Sequence, residues 1–475
     1  MKTNRFKFLS IILFVFVVFQ FQAKSQGNFK TPKNVIIMIA DGWSESCIDA
    51  TEYFNDGEKG KSIYRDFDIQ LFMSTYPAKV SDAEIPQNWS VGYNSYRAWS
   101  DFESAKNGAT CSGAAGTALA TGVKTYNGAI GMDLSKKPLP NLTEKFKSIG
   151  RAAGVITSVY FSHATPATFV AHNVHRDNYS EIALSMLLDS KVDVIMGAGH
   201  PNFDKSGKKA NESDYNYKLV GGKDAWNDLK AGKTKFSTSS LSGNSIVQDI
   251  DGDGKSDQWT LIESRDQFQK LMSGETPKRV VGVPKVLETL QFNRTEENYT
   301  NAFEIPFNNE VPTLAEMTKA AINVLDNNPN GFFLMIEGGA VDWANHANVA
   351  PRMIEEMTDF NMSVKAVVDW VESKSSWDEN LVIVTGDHDC GYVTGPIENN
   401  NNPNTNPIIN NGKGNMPGLR YNHTNHTNIL IPFFAKGAGS EIYNRLANNS
   451  DMIRGRFIDL TDVPNAIFML LEVGK

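Results

Sequence analysis

Three short apolar runs in this chain follow one pattern. Asn34–Ala40 (NVIIMIA), residues 331–336 (GFFLMI) and Asn380–Thr385 (NLVIVT) are dense in Ile, Val, Leu and Phe and show no polar alternation. Runs of this length predict strands buried on both faces, as in a parallel sheet. Each is followed by an acidic residue beside a glycine: Asp41-Gly42, Glu337-Gly338 and Gly386-Asp387. Ligands of open α/β sheets bind beyond the carboxyl ends of the strands. Three carboxylates far apart in sequence are therefore expected to converge. Apolar positions at helical spacing over Leu314–Leu325 and over 353–371 place an amphipathic helix before the second and third runs. Alternating helix and strand predicts an α/β sandwich.

Two stretches interrupt this alternation. Residues 202–257 are rich in Lys, Gly, Ser and Asp, and 399–415 in Asn, Pro and Gly. Both are expected to be surface excursions, within insertions near 202–300 and 392–422 of one catalytic domain over 26–475. The N-terminus has a different character. Lys2, Arg5 and Lys7 precede an apolar run over 8–19, and Ala23-Lys24-Ser25 gives a small-x-small pattern before Gln26. This predicts a signal peptide over 1–25, cleaved on export to the periplasm or beyond. The apolar run is shorter than the roughly 20 residues that span a bilayer, which weighs against an uncleaved anchor.

Composition narrows the function classes. The 475 residues are 41% hydrophobic, ample for a large core, and the net charge is −8 with no basic stripe. The absence of a basic stripe argues against nucleic acid as a partner. Three cysteines, Cys47, Cys111 and Cys390, make no disulfide framework.

The chemistry-bearing residues cluster in short motifs. Asp342 and His346 stand four apart, on one face if the segment is helical. Asp387-His388 is an adjacent carboxylate–imidazole pair, and His423-Thr-Asn-His426 adds two imidazoles. Mixed carboxylate and imidazole sets suit zinc and similar ions. One such pair is usually a solvated helix face; several at strand ends are harder to dismiss. Ser112 opens a run of small residues, Gly113-Ala-Ala-Gly-Thr-Ala. A helix beginning there would aim its N-terminal N–H groups at a phosphate on Ser112. No Gly-x-Ser-x-Gly elbow surrounds that serine, so an α/β-hydrolase triad is not supported.

Together these motifs resemble the alkaline phosphatase family. They are Asp41-Gly, Ser112 with its small-residue run, Thr121-Gly-Val-Lys-Thr-Tyr-Asn-Gly128, Glu337-Gly…Asp342…His346, Gly386-Asp-His388 and His426-Thr-Asn, in the family's order. The resemblance implies a three-layer α/β/α sandwich around a large, mostly parallel sheet. It implies metal-dependent hydrolysis of small phosphate monoesters at alkaline pH through a phosphoserine on Ser112. It further implies two Zn²⁺ and one Mg²⁺. Asp342, His346 and His426 match the first zinc site, and Asp41, Asp387 and His388 the second. Asp41, Thr165 and Glu337 match the magnesium site, and Arg176 the phosphate-binding arginine. His426 is preferred to His423 because Ala435-Lys-Gly437 follows it at the family's spacing. Homodimers are common in the family, and the oligomeric state is left open.

The chain departs from the family pattern in three places. Many members carry Asp before the nucleophile, where this chain has Cys111; the anchoring of Arg176 and the hold on product phosphate are thereby in question. His163 and Trp343 stand where one branch has Asp and Lys. That pairing resembles faster, less heat-stable members and implies a substrate-modulating role. Cys390, two residues after His388, is expected to approach Cys111 across the site, with no disulfide deduced from sequence. Separately, Asp249, Asp251, Asp253 and Asp257 form a Ca²⁺-loop candidate with Gly254 at its sixth place but Thr260 at its twelfth; a solvated acidic turn is the competing reading. Two rival functions remain: a diesterase or sulfatase of the same superfamily, and a non-catalytic binding protein. A sulfatase would need Cys-x-Pro-x-Arg or Ser-x-Pro-x-Arg, absent around Ser112.

Overall fold

The computed structural model describes residues 29–78, 92–297, 299–396 and 406–473. The expected signal peptide lies outside the described residues. Fifteen strands are present among the described residues. They are β1 (Asn34–Ala40), β2 (Ile69–Ser74), β3 (Ala152–Tyr160), β4 (Val194–Ala198), β5 (Thr260–Ile262), β6 (Val280–Gly282), β7 (Phe332–Gly338), β8 (Asn380–Thr385), β9 (Asp389–Cys390), β10 (Val393–Thr394), β11 (Arg420–Tyr421), β12 (His426–Thr427), β13 (Ile431–Gly437), β14 (Asn449–Asp451) and β15 (Gly455–Asp459). Eleven of them form one sheet in the order β14-β15-β2-β13-β8-β1-β7-β3-β4-β6-β5. β13 runs antiparallel to both its neighbours and β14 antiparallel to β15; the other pairings are parallel.

The three apolar runs are the adjacent central strands β8, β1 and β7. Every residue of each is buried, which is why their sequences do not alternate. Asn34 aligns their starts: its side chain donates to Asn380 Oδ1 at 2.9 Å and accepts from the Phe332 N–H at 3.0 Å. β7 runs two residues beyond the apolar run, so Glu337 lies within the strand, opposite Ile39 of β1.

Helices cover both faces of the sheet. Phe332 and Phe333 point to opposite sides, as neighbours on a strand must. Phe332 meets Trp370 of the Ala350–Lys374 helix, with ring centroids 5.5 Å apart. Phe333 meets Phe146 of the Leu142–Ser148 helix at 5.3 Å. This is the three-layer α/β/α arrangement. The Leu314–Leu325 helix begins in a capping box built by Thr313 and Glu316. No helix among the described residues is long and apolar enough to cross a membrane.

The 202–300 stretch is woven into the sheet edge rather than laid over the surface. It supplies β5 and β6 and buries Trp226, Phe236, Trp259 and Phe268. Its large apolar residues are few and widely spaced among polar ones, so no periodic run revealed them. The fully buried Arg279 fixes this edge, donating to the Val192 and Ser190 carbonyls and stacking 3.6 Å from the Trp259 ring. The 392–422 stretch is tied at its ends by β10 pairing with β11; residues 397–405 lie outside the described residues.

Candidate active site

Three strand ends deliver three fully buried carboxylates to one place: Asp41 after β1, Glu337 in β7 and Asp387 after β8. The Ala340–His346 helix starts immediately after β7 and sets Asp342 and His346 one turn apart. Close approach of this helix to the end of β1 depends on Gly42. Its φ is +69°, and a Cβ there would sit 2.8 Å from the Asp342 backbone. The Gly42 N–H donates to Asp387 Oδ1 at 3.2 Å, drawing the β1 and β8 ends together.

The potential ligand atoms fall into three groups, each within 4.8 Å: Asp342, His346, His426 and Cys390; Asp41, Asp387 and His388; and Asp41, Glu337 and His163. Hydrogen bonding fixes the imidazoles of the first group. Nδ1 of His346 donates to the Thr424 carbonyl at 2.7 Å, and Nδ1 of His426 donates to the Thr110 carbonyl at 2.8 Å. A carbonyl can only accept, so in the neutral rings both Nε2 atoms carry lone pairs. Those two atoms are 3.0 Å apart, with Asp342 carboxylate oxygens 3.3 and 3.4 Å away. Only a shared cation, a proton or a metal ion, makes such a cluster of lone pairs favourable.

The titration of these groups points the same way. Burial, then Asp387, Asp342 and Glu337, raises Asp41 well above the ordinary carboxylate range. Burial also lifts Asp387 to about 6, and lifts Glu337 to about 7 despite a hydrogen bond from Thr157. Burial opposes charge on His346, but Asp342 outweighs it and raises this imidazole to about 9. Both Asp41 oxygens, Glu337 Oε1, Asp387 Oδ2 and His388 Nδ1 are buried without a hydrogen-bond partner. Buried anionic oxygens left unpartnered are costly, and divalent cations reverse that cost. The residues present therefore fit metal ions.

Ser112 is the first residue of the Ser112–Thr121 helix, with Cys111 as its N-cap. Close packing explains the small residues: a Cβ on Gly113 would lie 2.9 Å from the Ala129 carbonyl oxygen. Ser112 Oγ lies 3.3 Å from His388 Nε2 and accepts from Arg176 Nη1 at 3.4 Å. Arg176 Nη2 donates to His163 Nε2 at 3.1 Å. Burial and the neighbouring guanidinium push His163 down to about 3, so it is a neutral acceptor. Arg176, His346 and His426 are half-buried at the mouth, above the buried carboxylates.

The structure thus brings together every residue expected in the main site. Thr165 is buried and approaches Glu337 without a well-formed hydrogen bond. Trp343 packs edge-on to Tyr160 and tilted against His163, beside the cluster. His423 stays out of all three groups. His172 bonds the Leu139 carbonyl, His175 is exposed, and His200 pairs with Glu263. Cys111 and Cys390 are free thiols rather than a disulfide. Sequence reasoning missed Thr157, Cys390 as a member of the first group, and His163 as a member of the third. For His163 the resemblance implied a substrate-modulating role but not membership of a ligand group. In the separate acidic loop, Asp249, Asp251 and Asp257 gather while Asp253 lies outside the group. The Lys278 ammonium is 2.5 Å from both Asp251 and Asp257 and already supplies a cation there.

Comparison with known proteins identifies the family. The sequence model of the alkaline phosphatase family matches residues 32–441. Alkaline phosphatase 3 of Bacillus subtilis is 29% identical over 380 residues, covering 78% of this chain and 64% of that protein. The chain thus spans just under two thirds of that relative. Alkaline phosphatase 4 of the same organism is 26% identical over 511 residues, covering 93% of this chain and 89% of that protein. The solved alkaline phosphatase of the Antarctic bacterium TAB5 shares the fold, with a TM-score of 0.61 at 23% identity over 93% of this chain and 99% of that one. Variants of the TAB5 enzyme with Asp or Glu in place of a histidine have magnesium bound in the M3 site. With the family match spanning most of its length, the chain belongs to the alkaline phosphatase family of phosphoric monoester hydrolases.

Proposed function

We propose that this protein hydrolyses small phosphate monoesters to an alcohol and inorganic phosphate, with Ser112 as the nucleophile. One observation carries the reading: Ser112 Oγ sits at a helix N-terminus between Arg176 Nη1, at 3.4 Å, and His388 Nε2, at 3.3 Å. Zinc held by Asp342, His346 and His426, zinc held by Asp41, Asp387 and His388, and magnesium held by Asp41, Glu337 and Thr165 would supply Lewis-acid charge for the entering and leaving oxygens.

The chain's own groups do the positioning. Arg176 presents a planar fork of donors to two phosphoryl oxygens. The N–H groups of Gly113 and Ala114, in the first turn of the helix, face the same charge without intrahelical partners. Ser112 Oγ gives up its proton to solvent and attacks phosphorus in line as the P–O bond to the ester oxygen breaks, and that oxygen takes a proton from water to leave as the alcohol. A water molecule then attacks the phosphoserine and releases phosphate. The transition state is loose and spreads charge over the phosphoryl oxygens, so positioning and charge stabilisation, to which Arg176 and the helix terminus contribute, do most of the catalysis. His163, neutral and fixed against Arg176, keeps the fork in plane. Export of the mature chain to the periplasm or beyond belongs to the same proposal, resting on the N-terminal pattern.

The test is hydrolysis of an aryl phosphate at alkaline pH with defined zinc and magnesium. Wild type should turn over, and Ser112→Ala should lose at least about a thousandfold in kcat. Removal of metal by a chelator should abolish turnover, and added zinc should restore it. Equal turnover by wild type and Ser112→Ala would contradict the assignment.

A further inference from the structure

Cys390 occupies an unusual place for a free thiol. It lies on β9, which pairs antiparallel with β12 in the register Cys390 opposite His426. Directly opposed residues project to the same side of a two-stranded ribbon, so the sulfur is turned toward His426 rather than into the apolar core. From the other side the Ala340–His346 helix brings Asp342 and His346. One ligand atom from each of Cys390, Asp342, His346 and His426 lies within 4.8 Å of every other. Cys390 is fully buried and forms no disulfide.

Two observations independent of the cysteine show that this point attracts a cation. The Nε2 atoms of His346 and His426 face each other at 3.0 Å, with both Nδ1 atoms committed to carbonyls. Asp342 Oδ1 is buried with His426 Nε2 3.4 Å away and no well-formed hydrogen bond. The residues expected from the family resemblance supply three ligands, an oxygen and two nitrogens. Four ligands of mixed O, N and S type make a closed tetrahedral set suited to zinc. Thiolate would shift the preference further toward soft, thiophilic ions.

We propose that Cys390 is a fourth ligand of the first metal site, bound as thiolate in the resting protein. The inference rests on the reading that Asp342, His346 and His426 hold a metal ion. Binding breaks the S–H bond, and the proton passes to solvent as the metal–sulfur bond forms. The leaving-group oxygen of a substrate must then join as a fifth ligand or displace the sulfur, so Cys390 sets how open this site is.

Cobalt substitution tests the proposal without relying on activity. The metal-free full-length mature protein is loaded with Co²⁺ and its absorption spectrum recorded. Wild type is expected to show visible d–d bands together with a near-ultraviolet thiolate-to-cobalt charge-transfer band. Cys390→Ser and Cys390→Ala should keep the visible bands and lose the charge-transfer band, with Co²⁺ affinity at the first site weakened by about tenfold or more. Cys47→Ala and Cys111→Ala should keep both features. Visible bands without charge transfer in wild type would overturn the role of Cys390 and leave the metal site standing. So would a charge-transfer band that survives Cys390→Ala. Absence of any cobalt spectrum in wild type would overturn the metal reading itself, and this inference with it.

Discussion

Arg176 is oriented by hydrogen bonds to Ser112 and His163. It donates to Ser112 Oγ and to His163 Nε2, and the Cys111 sulfur lies beside it while accepting from the Gly128 N–H at 3.1 Å. No carboxylate is interposed at position 111. A carboxylate there would hold the guanidinium more firmly than a thiol, since charge-assisted hydrogen bonds are roughly twice as strong as neutral ones. Cys111→Asp should therefore tighten product binding. The inhibition constant of inorganic phosphate is expected to fall about tenfold, or about 1.4 kcal/mol, with slower release. An unchanged constant from steady-state inhibition would show that Cys111 does not govern the arginine. At this level the sequence was most informative. Asp342 and His346 stand four apart, a spacing that places both on one helix face, and Asp41 and Asp387 follow apolar runs whose carboxyl ends were expected to converge. His163 and Thr157 were not legible as neighbours of Glu337. Their contacts run between β3, its following loop and β7, which sequence spacing does not encode.

The strand ends do the assembling. β8, β1 and β7 are adjacent and in register, so Asp387, Asp41 and Glu337 meet although Asp41 lies 296 residues before Glu337 and Asp387 a further 50 beyond it. Gly42 lets the Ala340–His346 helix close onto the end of β1, and the left-handed φ there disfavours any side chain. Gly42→Ala should push Asp342 and the helix outward. Misplacement of about 1 Å at a reacting centre costs on the order of a hundredfold, so kcat/KM for an aryl phosphate should drop by roughly that factor. Zinc affinity measured by competition with a chelator should weaken in parallel. Unchanged kinetics in Gly42→Ala would show that the helix can relax without disturbing the site. The central strands were legible because burial on both faces leaves unbroken apolar runs. The edge strands β5 and β6 were not, because three-residue strands carry too little periodicity to separate from the surrounding polar loop.

Away from the site, the Ala350–Lys374 helix concentrates buried acid. Glu355 is satisfied by Arg294, Tyr299 and the Phe303 N–H. Glu356 is buried with Oε1 unpartnered, and burial, then Asp359 and Glu355, raises it from 4.5 to about 8, against Arg294 and Arg352. The folded protein thus holds a proton that the unfolded chain releases above pH 4.5 or so. This raised acid costs no stability below the unfolded value. Its cost grows as pH rises through the interval and is complete above about 8. Glu356→Gln mimics the protonated form and should remove that cost. By differential scanning calorimetry the variant and wild type should melt alike near pH 5. The variant should be more stable above pH 8, by on the order of a few kcal/mol. A constant difference at all pH values would exclude Glu356 as a titrating group. The overall layering was legible in the sequence, since alternating amphipathic helices and apolar runs allow few arrangements. The way residues 202–300 extend the sheet was not.

The central claim is that phosphate passes through Ser112, and its most direct test is chemical. The metal-loaded protein is mixed with an aryl phosphate, quenched in acid and digested, and the peptide containing Ser112 is weighed by mass spectrometry. The account predicts one phosphoryl group on Ser112 in wild type, and none in Ser112→Ala or in metal-stripped protein. Vigorous turnover with Ser112 unlabelled, or a label on another residue, would contradict it.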